Sequence, residues 1–288
     1  MNLRRLITCC FLLLTSFPFF LQQAAEAGKL DDLRQGKPLR VGVGIMGLKP
    51  YIWQNADGSY TGLEYDVLQY ILKDIGAPKY ELVPTEWQTL IPGLKSDRWD
   101  IILSGIGFNQ ERLGAGGIAF THPYLMYVDY AIVLKDSPIQ SSADLKGKTV
   151  ASIVGSMDSL NAHNMQAAGQ VADVRDFNGW GEPFMALRNK QVDAVIIDQM
   201  TYLGQDAELK DLRLVGDPML YQPKPEWAEA ESKADYKLGA AGIIVRADDK
   251  DLQQAINAAV AKMFADGTHE QLLKKYGAWD ATQASPTK

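Results

Sequence analysis

Residues 39–47 read Leu39-Arg40-Val41-Gly42-Val43-Gly44-Ile45-Met46-Gly47, and how this stretch is taken decides the fold. Its first five residues read as a strand. Gly42 to Gly47 then fit the G-x-G-x-x-G pattern of a dinucleotide-binding turn, which needs a helix opening at its second glycine. Pro50 and the turn Asn55-Ala56-Asp57-Gly58 make that helix implausible. The match is therefore chance, and the glycines are expected to serve a tight strand-end loop where backbone can approach a ligand.

Outward from this strand, short apolar runs alternate with helix-length amphipathic segments, the order of an α/β chain. Residues 64–75 place Leu68, Ile71, Leu72 and Ile75 on one helix face, with Gly76 as a left-handed terminator. Strands are predicted at 80–83, 100–104 and 128–134, with a short helix over 89–96. A second, similar unit follows: strand 148–154, the polar turn Gly155-Ser156-Met157-Asp158, a helix to about Ala168, strand 171–177, helix 184–190, and strands 192–198 and 212–215. Pro223, Pro225 and a Glu- and Ala-rich run predict a long surface loop over 218–236. Regular structure resumes at 238–245 and in a helix over 251–266 ended by Gly267, and 281–288 reads as a frayed tail.

At 288 residues, 47% hydrophobic and 22% charged, the chain has the length of two globular domains, and disorder is excluded. With 29 Lys plus Arg against 35 Asp plus Glu, it carries no general field for nucleic acid. Residues 1–27 stand apart: Arg4 and Arg5 precede an apolar run of 16 residues, and Ala25-Glu26-Ala27 offers small residues to a signal peptidase. The run falls short of the ~20 residues that span a bilayer. Cleavage near Ala27 is expected to release 261 residues to the periplasm. Both cysteines, Cys9 and Cys10, would leave with the leader, excluding a disulfide, a thiolate nucleophile or a cysteine metal site, and the net charge would move from -6 to -7. His122, His163 and His269 are scattered without ligand spacing, so neither a metal nor a cofactor is expected.

The chemistry-bearing stretch is Ser104-Gly105-Ile106-Gly107-Phe108-Asn109-Gln110-Glu111-Arg112. Small residues at a strand end free their backbone N–H groups, and a guanidinium nearby adds a bidentate partner for a carboxylate. Read alone, Arg112 fits equally a surface charge near a helix start. Gly155-Ser156-Met157 is the matching turn of the second unit: its helix N-terminus could hold the same anion, or Ser156 could simply cap the helix. Asp198 ends a strand where open α/β sheets place ligand contacts, and it reads either as an acceptor for an ammonium group or as the cap of the next helix.

These pieces stand in an order that resembles a known family. They are 39–43, Gly58 to Leu63 with Glu64-Tyr65-Asp66, Trp87-Gln88-Thr89-Leu90-Ile91-Pro92-Gly93-Leu94, Trp99-Asp100-Ile101-Ile102 and Glu111-Arg112. Further on come Phe120-Thr121-His122-Pro123-Tyr124, Leu145-Lys146-Gly147-Lys148-Thr149-Val150, Val192-Asp193-Ala194-Val195 and Ala265-Asp266-Gly267-Thr268. Over about 39–277 the chain resembles the polar amino-acid-binding proteins of ABC importers, bacterial extracellular solute-binding protein family 3.

The resemblance implies a periplasmic-binding-protein-like type II α/β fold, two lobes joined by two crossover strands around a ligand cleft. Lobe 1 would comprise 36–127 plus 239–281 and lobe 2 residues 128–238, with crossings near 125–130 and 237–242. It implies that Ser104, Gly105, Gly107, Arg112 and Ser156 grip an α-carboxylate, that Asp198 takes the α-ammonium, and that Trp87 packs on the ligand body. The departures are Gly107 and Met157, where hydroxyl residues are common, Leu48, where an aromatic ring stacks, and Ile45, where binders of cationic side chains carry an acid. They argue against a lysine-, arginine- or histidine-type ligand. Tyr51, Trp53 and Trp87 are candidates for an aromatic wall suiting a small zwitterion such as ectoine or a betaine. The expectation is a non-enzymatic, monomeric binding protein that hands its solute to an ABC permease. The alternatives are a cleft enzyme of the cyclohexadienyl dehydratase type, with Glu182 and His122 as candidate acid or base, and a sensing module for a membrane receptor.

Overall fold

The computed structural model describes residues 28–204 and 209–288; the expected leader lies outside them. The first stretch of chain forms α1 (Lys29–Arg34), β1 (Leu39–Val43), the small hairpin of β2 (Trp53–Gln54) and β3 (Tyr60–Thr61), α2 (Leu63–Ile75), β4 (Tyr80–Pro84), α3 (Leu90–Lys95), β5 (Ile101–Gly107), α4 (Gln110–Leu113) and β6 (Ile118–Met126). The second forms β7 (Asp129–Leu134), β8 (Thr149–Ile153), α5 (Met157–Ala167), β9 (Asp173–Phe177), α6 (Glu182–Arg188), β10 (Ala194–Asp198), α7 (Gln199–Leu203), β11 (Leu212–Met219) and α8 (Ala228–Ser232). The chain closes with β12 (Ala240–Arg246), α9 (Lys250–Ala265) and α10 (Thr268–Lys275).

Two five-stranded sheets result, ordered β4-β1-β5-β12-β6 and β11-β7-β10-β8-β9. Each has a parallel trio, β4-β1-β5 or β9-β8-β10, extended by two antiparallel strands. The chain leaves the first sheet after Met126, enters the second at Asp129, and returns between Met219 and Ala240. At the crossings the Tyr127 N–H donates to the Gly239 carbonyl at 2.8 Å, so the two connecting segments lie against each other.

The amphipathic pattern explains the layering. Leu68, Ile71, Leu72 and Ile75 of α2 bury with Leu252, Ile256, Val260 and Met263 of α9 on one face of the first sheet, and Gly76 is left-handed at φ 73°. On the other face Trp99 is fully buried against Leu90 and Leu94. No helix follows Gly42-Val43-Gly44; turns lead to the β2–β3 hairpin, in line with rejecting the dinucleotide reading. The glycines there answer a packing need: a Cβ on Gly42 would meet Trp99 at 2.7 Å, and one on Gly44 would meet Leu90 at 2.7 Å.

Three expectations need correction. The strand β6 has no counterpart in the reading of the sequence. The 218–236 stretch is more than a surface loop: Pro218 and Met219 extend β11, α8 forms within it, and Tyr221, Glu231 and Tyr236 are buried. The tail is docked rather than frayed. Gln283 donates to the Met126 carbonyl and accepts from the Met126 N–H, both at 2.9 Å. Beyond it, Pro286 accepts from the Lys237 N–H at 2.9 Å, and the Lys288 N–H donates to Asp235 at 2.9 Å. Residues 283–288 thus tie the first crossing to the return segment.

Candidate functional site

The end of β5, which runs through Gly107 rather than stopping at Ser104 as expected, and the helix start after β8 face each other across the lobes, which is what brings their side chains together. Tyr51, Trp87, Ser104, Gly105, Gly107, Arg112, Ser156 and Asp198 all line one cavity of about 340 Å³, part of it open to solvent. Ile45, Tyr127, Met157, Asp158, Trp180 and Thr201 complete its wall.

The first lobe supplies the cation. Asn109 caps α4 by accepting from the Arg112 N–H at 2.8 Å, and this short helix turns Arg112 inward. Arg112 is only 8% exposed, so its alternative as a surface charge falls. Its guanidinium donates to the carbonyls of Gly107 at 2.7 Å and Gly155 at 2.6 Å, the second across the lobe boundary. Burial lowers its pKa to about 10, and among the described residues it meets no carboxylate at hydrogen-bond distance. Trp87 lies over it, 5.9 Å from ring centroid to guanidinium carbon. Beyond Trp87 and Arg112 opens a larger groove of about 950 Å³, lined by Ile91, Ile106 and Leu160 among others.

The floor is built from glycines for steric reasons. Gly105 has φ 56°, and a Cβ there would sit 1.8 Å from the Tyr127 hydroxyl; one on Gly107 would sit 2.6 Å from Met157 Cγ. Ser104 accepts from the Gly44 N–H at 2.9 Å, fixing the strand-end loop of β1 beside it. Beneath Gly105 lies Glu64, fully buried, with both carboxyl oxygens 2.7 Å from the Tyr124 hydroxyl. Burial raises its pKa to about 8 against the opposing pull of the Tyr124 hydrogen bond.

The second lobe supplies acids. Asp198 is 3% exposed at the end of β10, where its reading as the cap of the next helix holds. It caps α7 through the Thr201 N–H at 2.9 Å, and it faces the cavity, where it accepts from the Tyr51 hydroxyl at 2.7 Å. Burial, then the charge of Asp158, raises its pKa to about 6. Asp158, 5% exposed in the first turn of α5, is raised well above the carboxylate range by burial and by Asp129. Asp129 itself accepts from Asn161 at 2.7 Å and is pushed up to about 6, chiefly by burial. None of the three has a cation among its leading influences. Ser156 does cap α5, accepting from the Ser159 N–H at 3.0 Å, while also lining the cavity.

Other candidates fall elsewhere. Trp53 packs edge-on against Tyr276 and does not line the cavity, so it leaves the aromatic wall. Leu48 is buried in the first lobe's core. His122 lies exposed with its N–H on Asn257, and Glu182 accepts from the N–H groups of Asn178 and Gly179 in a turn. Sequence reasoning missed Tyr127, Asp158, Thr201 and Trp180 as cavity residues. Asp158 alone carried a signal, as an acid one turn from the Ser156 cap.

Two α/β lobes, joined by paired crossings and enclosing a cavity with a cation on one side and acids on the other, define a type II periplasmic-binding fold. Residues 39–278 match the bacterial extracellular solute-binding proteins, family 3, and the chain belongs to that family. It is 28% identical to the L-cystine-binding protein TcyJ of Escherichia coli over 262 residues, covering 90% of each chain. It is also 28% identical to the histidine-binding periplasmic protein of Salmonella typhimurium, covering 80% of this chain and 84% of that one. Among solved structures, an ancestral arginine-binding protein bound to arginine aligns at TM-score 0.68 and 26% identity, covering 83% of this chain and 97% of the other. An ancestral amino-acid-binding protein described as a precursor of cyclohexadienyl dehydratase aligns at TM-score 0.69 and 25% identity, covering 87% and 99%. Among the described residues no helix is long and apolar enough to cross a membrane.

Proposed function

We propose that this protein captures a small zwitterionic, amino-acid-like solute by closure of its two lobes and delivers it to an ABC-type permease from the periplasm. One observation carries the reading. Among the described residues Arg112 of the first lobe has no carboxylate partner, Asp198 of the second has no cationic partner, and both face one cavity. A buried charge without a partner is costly, so a ligand that brings a carboxylate to Arg112 and an ammonium to Asp198 removes both costs at once. Such a ligand touches both lobes and therefore favours the closed arrangement over the open one by its differential affinity.

The permease as recipient rests on the family and on the importer proteins among its relatives. A cleft enzyme would need an acid or base aimed at a leaving group. The two residues first considered for that role, His122 and Glu182, do not line the cavity, and the binding reading is the better supported. Native mass spectrometry of protein purified without denaturation is expected to reveal a co-purified small molecule. Titration calorimetry with that molecule should then show binding lost in Arg112→Ala and in Asp198→Ala while both stay folded. Retained binding in both variants would sink the assignment, and turnover of prephenate or arogenate by the pure protein would favour the enzyme.

A further inference from the structure

Trp180 stands on the turn between β9 and α6, flanked by Gly179 and Gly181. From this second-lobe turn it reaches across the cleft. Its indole N–H donates to the Gly44 carbonyl of the first lobe at 3.2 Å. Its ring meets Trp87 edge-on, with centroids 5.3 Å apart and planes at 90°. The side chain also packs against the apolar cores of both lobes and lines the cavity. Several other wall residues are fixed in place: the floor glycines are pressed against Tyr127 and Met157, Arg112 is tied to two carbonyls, and Tyr51 is bonded to Asp198. Trp180 is different, since its side chain hangs from a glycine-flanked turn and is held in place by contacts to the opposite lobe.

We propose that Trp180 is a specificity-determining residue that closes the cavity from the second lobe and confines the ligand to a compact zwitterion. With Trp87 it forms a right-angled indole corner, whose faces suit an apolar or N-alkylated ammonium body. A long side chain entering there would displace the indole and give up both its hydrogen bond to Gly44 and its edge contact with Trp87. The aromatic wall would then be Tyr51 and Trp87 with Trp180, and Trp53 takes no part in it. This proposal rests on the cavity being the ligand site.

The test is titration calorimetry with four defined probes, L-serine and glycine betaine as compact zwitterions and L-arginine and L-cystine as long ones, on the intact chain, Trp180→Ala and Trp180→Phe. The intact chain should bind a compact probe more tightly than either long one. Trp180→Ala should gain for a long probe, relative to the compact ones, by roughly tenfold or more, the range expected when pocket volume is changed. Trp180→Phe keeps most of the ring and should keep the order of preference, which also guards against misfolding of the alanine variant. An order of preference unchanged in Trp180→Ala, or an intact chain that already prefers L-arginine or L-cystine, overturns the proposal. Failure of all three proteins to bind any probe would instead count against the cavity as an amino-acid site, and this proposal would fall with it.

Discussion

Two buried acids, Asp100 in the first lobe and Asp198 in the second, differ by less than their sequence contexts suggest: each borders a strand end and each is nearly solvent-free. Their surroundings are opposite. Asp100 receives Arg40 at 2.7 Å, Lys29 at 2.7 Å and Arg246 at 3.3 Å. Burial would raise it, yet hydrogen bonds from Arg40 and Lys29 hold it below the ordinary carboxylate range. Asp198 receives only hydroxyl and backbone donors and is raised to about 6. An acid whose charge is satisfied from within is a structural element. One whose charge is left unanswered in a cavity is prepared for something outside the chain.

The comparison breaks most visibly in stability. Asp100→Ala strands three basic groups around a buried site and is expected to cost about 3 kcal/mol, the low end for a broken buried pair because the cations can rehydrate. Urea unfolding measures this, and the protein still folded should bind its ligand unchanged. Asp198→Asn should do the reverse. Asparagine retains the α7 cap and the chain keeps its midpoint, while affinity drops by tenfold or more, on the order of the 2 kcal/mol lost with a buried charged partner.

A pH titration sharpens the same contrast. Asp198 must be ionised to hold an ammonium, so affinity should be level above neutrality and fall progressively below about pH 6, and the fall should vanish in Asp198→Asn. A second titration concerns Glu64 under the cavity floor. Its folded pKa of about 8 lies above the ordinary 4.5, so the folded chain keeps a proton that the unfolded chain has released. Stability should therefore decline as pH rises from 4.5 through 8, and Glu64→Gln should flatten that decline in urea midpoints measured across the range.

Much of this was legible because local signals coincide with tertiary roles. The four apolar residues of α2 repeat at helical spacing and Gly76 ends it; Ser104 to Arg112 and Ser156 announce small residues and a charge at strand ends, although the amides expected to be free there are taken up by Glu64, Ala240 and Glu231. The strand β6 was hidden by Pro123 in its interior, a residue tolerated because β6 lies at the sheet edge. Trp180 gave no periodic signal: between two glycines it reads as a turn, and its partners Gly44 and Trp87 lie far away in the chain. Tyr127 and Thr201 likewise acquire their place only when the crossings bring β7 and β10 to the cleft. The tail looked unstructured since its docking uses backbone groups, Gln283 and the Lys288 ammonium, which leave no hydrophobic pattern.

That docked tail bears on how the protein can be handled. Residues 283–288 are tied to both connecting segments between the lobes, so a load placed on Lys288 by an affinity tag, a fluorophore or a surface linkage would fall on those segments. The first helix is a safer anchor. The Leu30 N–H is held at 2.9 Å by Asp251 of α9, within the first lobe and away from the connecting segments, so a biosensor built on this chain is better immobilised from the side of α1.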